Sequence, residues 1–104
     1  MPFPPKRDHR ITLAEAIEMT TAHRAAAGSD AAKGGMWPRE VFEALLAQPG
    51  CAGLRMYHGR LKDGTANMVM VAVDANGSDL TSATIMEQFF PCPPWCDTAS
   101  PLYG

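Results

Sequence analysis

The closing run Pro91-Cys92-Pro93-Pro94-Trp95-Cys96 constrains this chain more than any other stretch of it. Two cysteines stand four positions apart, with two prolines and a tryptophan between them. Each proline lacks a backbone donor and holds φ near −65°, so neither a helix nor a central strand can run through the segment. What remains is a stiff, pre-shaped strap. It closes a Cys–Cys loop, holds a metal with help from elsewhere, or docks as an extended ligand, and these are three different functions.

A metal reading makes Cys92 and Cys96 the first two ligands of a zinc site. Structural zinc wants four thiolate or imidazole ligands, often in pairs two to four residues apart. Only one such pair is present, so the rest would come from Cys51, His58, His23 or His9, none at ligand spacing from another. A disulfide between Cys92 and Cys96 requires the loop to turn. Four residues in polyproline geometry span roughly 12 Å, against about 4.4–6.8 Å between the Cα atoms of a disulfide. A cis bond at Pro93 or Pro94 would supply that turn. In a reducing cytoplasm such a bond would be catalytic or a sensor. The spacing differs from the Cys-X-X-Cys of thioredoxin-like enzymes, and the βαβ context is missing. In the third reading Trp95, Phe89, Phe90, Leu102 and Tyr103 anchor the strap against the domain or a neighbouring subunit, and the thiols are small hydrophobes. This last reading is the favoured one, with no cofactor; zinc is the alternative.

At 104 residues the chain is expected to form one domain, 11–90, between an irregular arm, 1–10, and the extended tail, 91–104. Hydrophobic residues make up 46% and charged residues 19%, a globular balance. The formal net charge of −2 argues against a nucleic-acid partner, which demands a concentrated excess of Lys and Arg. The basic cluster Lys6-Arg7-Asp8-His9-Arg10 is diluted by Asp8 and reads as a solvated arm. No apolar run approaches the roughly 20 residues of a membrane span. The N-terminus lacks the apolar segment of a signal peptide, so the expected compartment is the cytoplasm. Three cysteines is an odd number and does not suit a secreted disulfide framework.

Along the chain, Thr12-Leu13-Ala14-Glu15 fits a capping box opening a helix, with Leu13, Ala16, Ile17 and Thr20 at helical spacing. Gly28-Ser29-Asp30 ends it, and residues 28–36 read as a flexible connector. A second helix starts at Pro38, buries Val41, Phe42, Leu45 and Leu46, and stops at Gln48-Pro49-Gly50. The period then changes. Ala52, Leu54, Met56 and His58 alternate with Gly53, Arg55 and Tyr57, and Val69, Val71 and Val73 follow beyond the turn Lys62-Asp63-Gly64, which predicts an antiparallel hairpin. At Asp74-Ala75-Asn76-Gly77-Ser78-Asp79 a two-residue turn would set Asp74 against Asp79, an unfavourable like-charge pair. A third strand over 80–85 is slightly favoured over a short helix from Ser82.

The run Leu46-Ala47-Gln48-Pro49-Gly50-Cys51, then Gly53, Arg55 and Tyr57, and the closing Cys92-Pro93-Pro94-Trp95-Cys96 resembles a group of small, uncharacterised bacterial proteins. They are similar in size and in their order of helix, hairpin and Cys-Pro-Pro tail. The resemblance covers most of residues 11–104 and implies a natural bacterial domain, with no activity attached.

Other candidate chemistry has plainer readings. Cys51 and His58 lie far apart on opposite faces of one strand, too far for a thiolate–base pair, so Cys51 reads as structural. Arg55 and Tyr57 share a face that suits a carboxylate or phosphate, yet a wet sheet face is the preferred reading. The Asp74–Asp79 segment has its glycine at the fourth position, where a calcium loop needs it at the sixth, so it is a turn. Glu15 with Glu18, and Glu40 with Glu43, give solubility rather than acid–base catalysis. No nucleophile triad, phosphate loop or dinucleotide fingerprint is present. The sequence therefore predicts an α+β protein: two N-terminal helices on a small antiparallel sheet of two or three strands, with Phe42, Leu45, Leu54 and Val71 buried. It favours a non-enzymatic interaction or self-assembly protein over an enzyme, with a protein or a second copy as partner, and a zinc or thiol-redox protein as the alternative.

Overall fold

The computed structural model describes residues 3–28 and 31–104. The protein is α+β, with two helices and two antiparallel sheets, one of three strands and one of two. It divides into two compact units, each assembled from separate stretches of chain. The boundaries therefore fall at 6/7, 36/37 and 89/90, where the sequence suggested 10/11 and 90/91.

The first unit comprises residues 3–6 and Trp37–Phe89. Numbering elements in chain order, it holds α2 (Arg39–Leu46), β2 (Gly53–Arg60), β3 (Ala66–Val73) and β4 (Ile85–Met86). Pro38 sits just outside α2 as its N-cap, with extended φ −62° and ψ 158°, one position earlier than its role as first helical residue would put it. Its carbonyl accepts the Val41 N–H at 3.1 Å, so the helix still opens on it. The Gln48-Pro49-Gly50 stop holds: helix geometry ends at Leu46 and Gly50 takes φ +83°.

The predicted hairpin is present. Strands β2 and β3 pair antiparallel over their full length, from Gly53 opposite Val73 to Arg60 opposite Ala66. Asp63 caps the connecting turn by accepting the Thr65 N–H at 2.9 Å, and Gly64 supplies φ +89°. Strand β3 is central, in the order β2-β3-β4, and both its faces are covered. On one face Met70, fully buried, meets Leu45 of α2 and Trp37, with Val41, Phe42, Leu54, Met68, Met86 and Phe89 packed around them. On the other face Val71 and Val73 are buried as well. Of the residues expected inside, Leu45 and Val71 are buried, Val41, Phe42 and Leu54 are half-buried at the rim of the cluster, and Leu46, expected on the buried face of α2, is exposed. Trp37 takes the place expected for Phe42: its ring meets Phe42 edge-on at 6.3 Å and its indole N–H donates to the Glu87 carbonyl at 3.2 Å.

The third strand differs from expectation. Residues 80–83 form a turn closed by the Ala83 N–H on the Leu80 carbonyl, and only Ile85–Met86 pair with β3. The cause lies upstream. The Asp74 carboxylate accepts the N–H groups of Asn76 and Ser78, at 2.9 and 3.0 Å, so the chain turns on Asp74 itself. A single bridge, Val73 to Asp79, is all the ladder that follows before the chain turns again.

The second unit comprises residues 7–28, 31–36 and 90–104, and holds α1 (Leu13–Ala27), β1 (Gly34–Met36) and β5 (Phe90–Cys92). The capping box is formed as read: Thr12 Oγ1 accepts the Glu15 N–H at 3.1 Å and Glu15 Oε1 accepts the Thr12 N–H at 3.2 Å. The Thr12 N–H, and then the Thr12 hydroxyl, which also donates to Oε1 at 2.9 Å, favour the charged carboxylate and hold the Glu15 acid below its ordinary range. Ala16, Ile17, Thr20 and Arg24 are half-buried, while Leu13 is exposed, so the helix buries no residue fully. Gly28 ends it with φ +88°; the expected Ser29-Asp30 part of the stop lies outside the described residues. The segment expected as a connector contains β1, which pairs antiparallel with β5, Gly34 facing Cys92 and Met36 facing Phe90.

Candidate functional site

The tail builds its own small hairpin on this ribbon. Cys92 is held in the ladder, its carbonyl accepting the Lys33 N–H at 2.8 Å. The chain then reverses over Pro93 and Pro94, each preceded by a cis peptide bond, and the Trp95 N–H returns to the Pro91 carbonyl at 2.9 Å. The reversal brings the Cα atoms of Cys92 and Cys96 to 4.8 Å and joins their sulfurs as a disulfide. Proline suits this bend because the positions it occupies have no N–H to leave unpaired.

The cystine is half-buried, but the tip it closes is not. Pro93 and Pro94 are exposed and Trp95 keeps 61% of its surface open. The indole rests edge-on against Phe90 at 5.4 Å between ring centroids, and Phe90 faces the exposed Met36 across the ribbon. Met36, Phe90 and Trp95 are thus exposed apolar neighbours, with the exposed Pro93 and Pro94 beside Trp95 in the chain. Beyond Cys96 the chain is secured at other points of the same unit. Arg24 donates to the Leu102 carbonyl at 2.9 Å, and the Lys33 ammonium lies 4.8 Å over the Tyr103 ring. Of the five expected anchors, Tyr103 is half-buried and Trp95 and Leu102 are exposed. Phe89 packs in the cluster around Trp37 in the first unit.

As a cystine, Cys92 and Cys96 offer no thiolate to a metal, so the zinc reading requires the bond to be reduced and further ligands supplied. Among the described residues no group of three or more His, Cys, Asp or Glu side chains is placed to hold a cation. Cys51 is a free, half-buried thiol whose S–H donates to the Gly53 carbonyl at 3.3 Å.

A second polar arrangement lies in the first unit. Arg55 and Tyr57 do share a face of β2, and Asp79 closes on both: Arg55 Nη1 donates to Oδ1 and the Tyr57 hydroxyl to Oδ2, each at 2.5 Å. The anion that suits these two side chains is supplied by the chain itself. The sequence hint was that Asp79 could not comfortably face Asp74; it turns instead to the Arg55 guanidinium. The Tyr57 hydrogen bond and then the Arg55 guanidinium hold the Asp79 acid below its ordinary 3.8, while the same bond raises Tyr57 above its ordinary 10.0. A lowered acid pKa contributes stability that is complete above the unfolded value and lost as pH falls through the folded one. A raised tyrosine pKa contributes below its unfolded value and is lost as pH rises. The cluster should therefore stabilise fully between about pH 4 and pH 10. We expect Asp79→Asn to destabilise the protein across that window and the gap from wild type to narrow below pH 4, read by chemical denaturation at stepped pH. A gap that stays constant into acid would show that Asp79 acts by shape alone.

Beside this cluster a cleft of about 540 Å³ runs between Gln48-Pro49 and residues 79–84. Gln48 Nε2 reaches the Thr84 carbonyl at 3.4 Å, and its buried Oε1 has no protein donor among the described residues. No helix among the described residues is long and apolar enough to cross a membrane. No family model, curated protein or solved structure matches the chain.

Proposed function

We propose that the protein is a non-enzymatic interaction module that docks, onto a protein partner or a second copy of itself, through the Pro93-Pro94-Trp95 tip. The observation that carries this reading is a large aromatic held rigidly in solvent. Trp95 is exposed, yet its backbone is bonded to Pro91 and its ring is braced by Phe90. A side chain ordered before binding loses little entropy on docking, and tryptophan is among the residues that dominate interface energies. The Met36–Phe90 pair widens the apolar contact around it. We propose a cytoplasmic location. A second reading, a thiol-redox protein, is favoured by the Cys92–Cys96 bond itself.

Trp95→Ser in the full-length chain tests the docking reading without disturbing the β1–β5 pairing. Loss of a central tryptophan should weaken self-association by about 2 kcal/mol or more, roughly 30-fold in dissociation constant. Light scattering over a concentration series reads the change, with circular dichroism as the folding control. Coincident profiles for the two oligomerising proteins would refute a role for the tip. A wild-type chain monomeric throughout would refute self-association and leave a different protein as the partner.

A further inference from the structure

We infer that the Cys92–Cys96 bond is a thiol-exchange site, opened by a dithiol reductant and reclosed by the reverse exchange with a disulfide oxidant, which leaves as two thiols, and that its state controls how Trp95 is presented. The inference rests on the docking reading for its consequence, but its chemistry is a property of the isolated protein. Three observations carry it. The bond closes a loop of only four residues' separation at the outer end of a ribbon, and the residues between its ends, Pro93, Pro94 and Trp95, are exposed. An incoming thiolate therefore approaches from the solvent side of the tip. The two cysteines are also anchored unequally. Cys92 is fixed by β1, through Gly34 and the Lys33 N–H, whereas Cys96 lies outside any strand, its N–H bonded only to the nearby Pro94 carbonyl. Breaking the bond leaves Cys92 in its ladder and frees Cys96. Finally, what fixes Trp95 besides the cystine is one backbone hydrogen bond, to the Pro91 carbonyl, and one ring contact, with Phe90, both reaching back to β5 just ahead of the loop. Opening the ring gives the segment back part of the chain entropy that the crosslink had removed, opposed by those two contacts and by the fixed φ of Pro93 and Pro94.

The exchange balances without other reactants. One thiolate of the dithiol attacks a sulfur of the pair, the Cys92–Cys96 bond breaks, and the departing cysteine leaves as a thiolate and takes a proton. The second thiol of the reductant then displaces the mixed disulfide. Two electrons and two protons pass to Cys92 and Cys96, and the reductant ends as its own cyclic disulfide. Cytoplasmic residence would make this bond one of the transient kind found in reducing compartments. Cys51 takes no part: it is half-buried in the first unit and its S–H is committed to Gly53.

The test uses the full chain with Cys51→Ser, incubated natively with dithiothreitol, alkylated and weighed, while tryptophan emission and circular dichroism are followed. We expect a gain of two alkyl groups without denaturant and a parallel shift in emission that a Trp95→Phe companion lacks. The helical signal should be unchanged, and in a sample not alkylated, removal of dithiothreitol and addition of oxidised glutathione should reverse the emission shift. Cys92→Ser should reproduce the reduced spectrum; should that variant not fold, the reduced parent protein still decides. A bond reduced only after denaturation would overturn the inference. So would reduction with Trp95 emission unchanged, and so would collapse of the helical signal, which would make the bond a structural staple. None of these outcomes depends on association, so failure here is distinct from failure of the docking reading.

Discussion

Trp37→Ala is expected to cost about 3–5 kcal/mol, a large share of what holds a unit this size together. The indole is buried at the centre of the first unit's cluster, edge-on to Phe42 and tilted against Phe89 at 5.8 Å. Its N–H satisfies the Glu87 carbonyl, which binds the segment after β4 to the segment before α2. Alanine would leave a void and would remove the donor of the half-buried bond to the Glu87 carbonyl. Trp37→Phe separates the two contributions, since it keeps most of the ring and forfeits the hydrogen bond, and should cost about 1–3 kcal/mol. Denaturant titration followed through the NMR amide signals of β3 measures both. A loss below one kcal/mol for alanine would place Trp37 outside the core.

That Trp37 stands at this centre was not legible in the sequence, and the reason is local. It precedes Pro38, so it lies outside the helical period that singled out Val41, Phe42 and Leu45, and it follows a glycine-rich stretch read as a connector. Periodicity ranks residues within an element and is silent on the one that folds back over the helix start. The same limit hid the β1–β5 ribbon: Gly34-Gly35-Met36 has no strand propensity, and it pairs because β5 offers it a backbone edge. What periodicity could reach, it reached. The Thr12 cap, the stop at Pro49-Gly50 and the hairpin across Lys62-Asp63-Gly64 are each set by contacts within a few residues.

The candidate sites divide in the same way. Spacing alone showed that Cys92 and Cys96 could be joined only if the prolines turned the chain, and they do turn it. That Trp95 points outward rather than anchoring the strap depends on the ribbon beneath it, which no local pattern encodes. The pairing of Arg55 and Tyr57 with Asp79 was half legible. The shared strand face follows from a period of two, but the acid arrives from 22 residues beyond Tyr57 through a turn whose geometry Asp74 decides. Neither Asp79 nor Trp37 was therefore within reach of a reading built on neighbouring residues.

Leu45→Ala should be the other large loss, about 2–5 kcal/mol, because Leu45 is fully buried and lies against Met70, itself fully buried on the central strand. The upper part of that range is expected here. One wall of the resulting void would be strand β3, held in place by β2 on one side and β4 on the other, so the site has little freedom to collapse. Phe42→Ala, though it removes more atoms, should cost less than Leu45→Ala, since Phe42 is only half-buried and packs at the cluster's edge. The two tryptophans make the measurement selective: in a Trp95→Phe background the remaining indole, Trp37, reports on the unit that contains both leucine and phenylalanine. Urea titration of that background, with and without each substitution, gives the two losses from one probe. If Phe42→Ala proved the costlier, the helix would be held chiefly by its contact with Trp37 and not by the seam between α2 and β3.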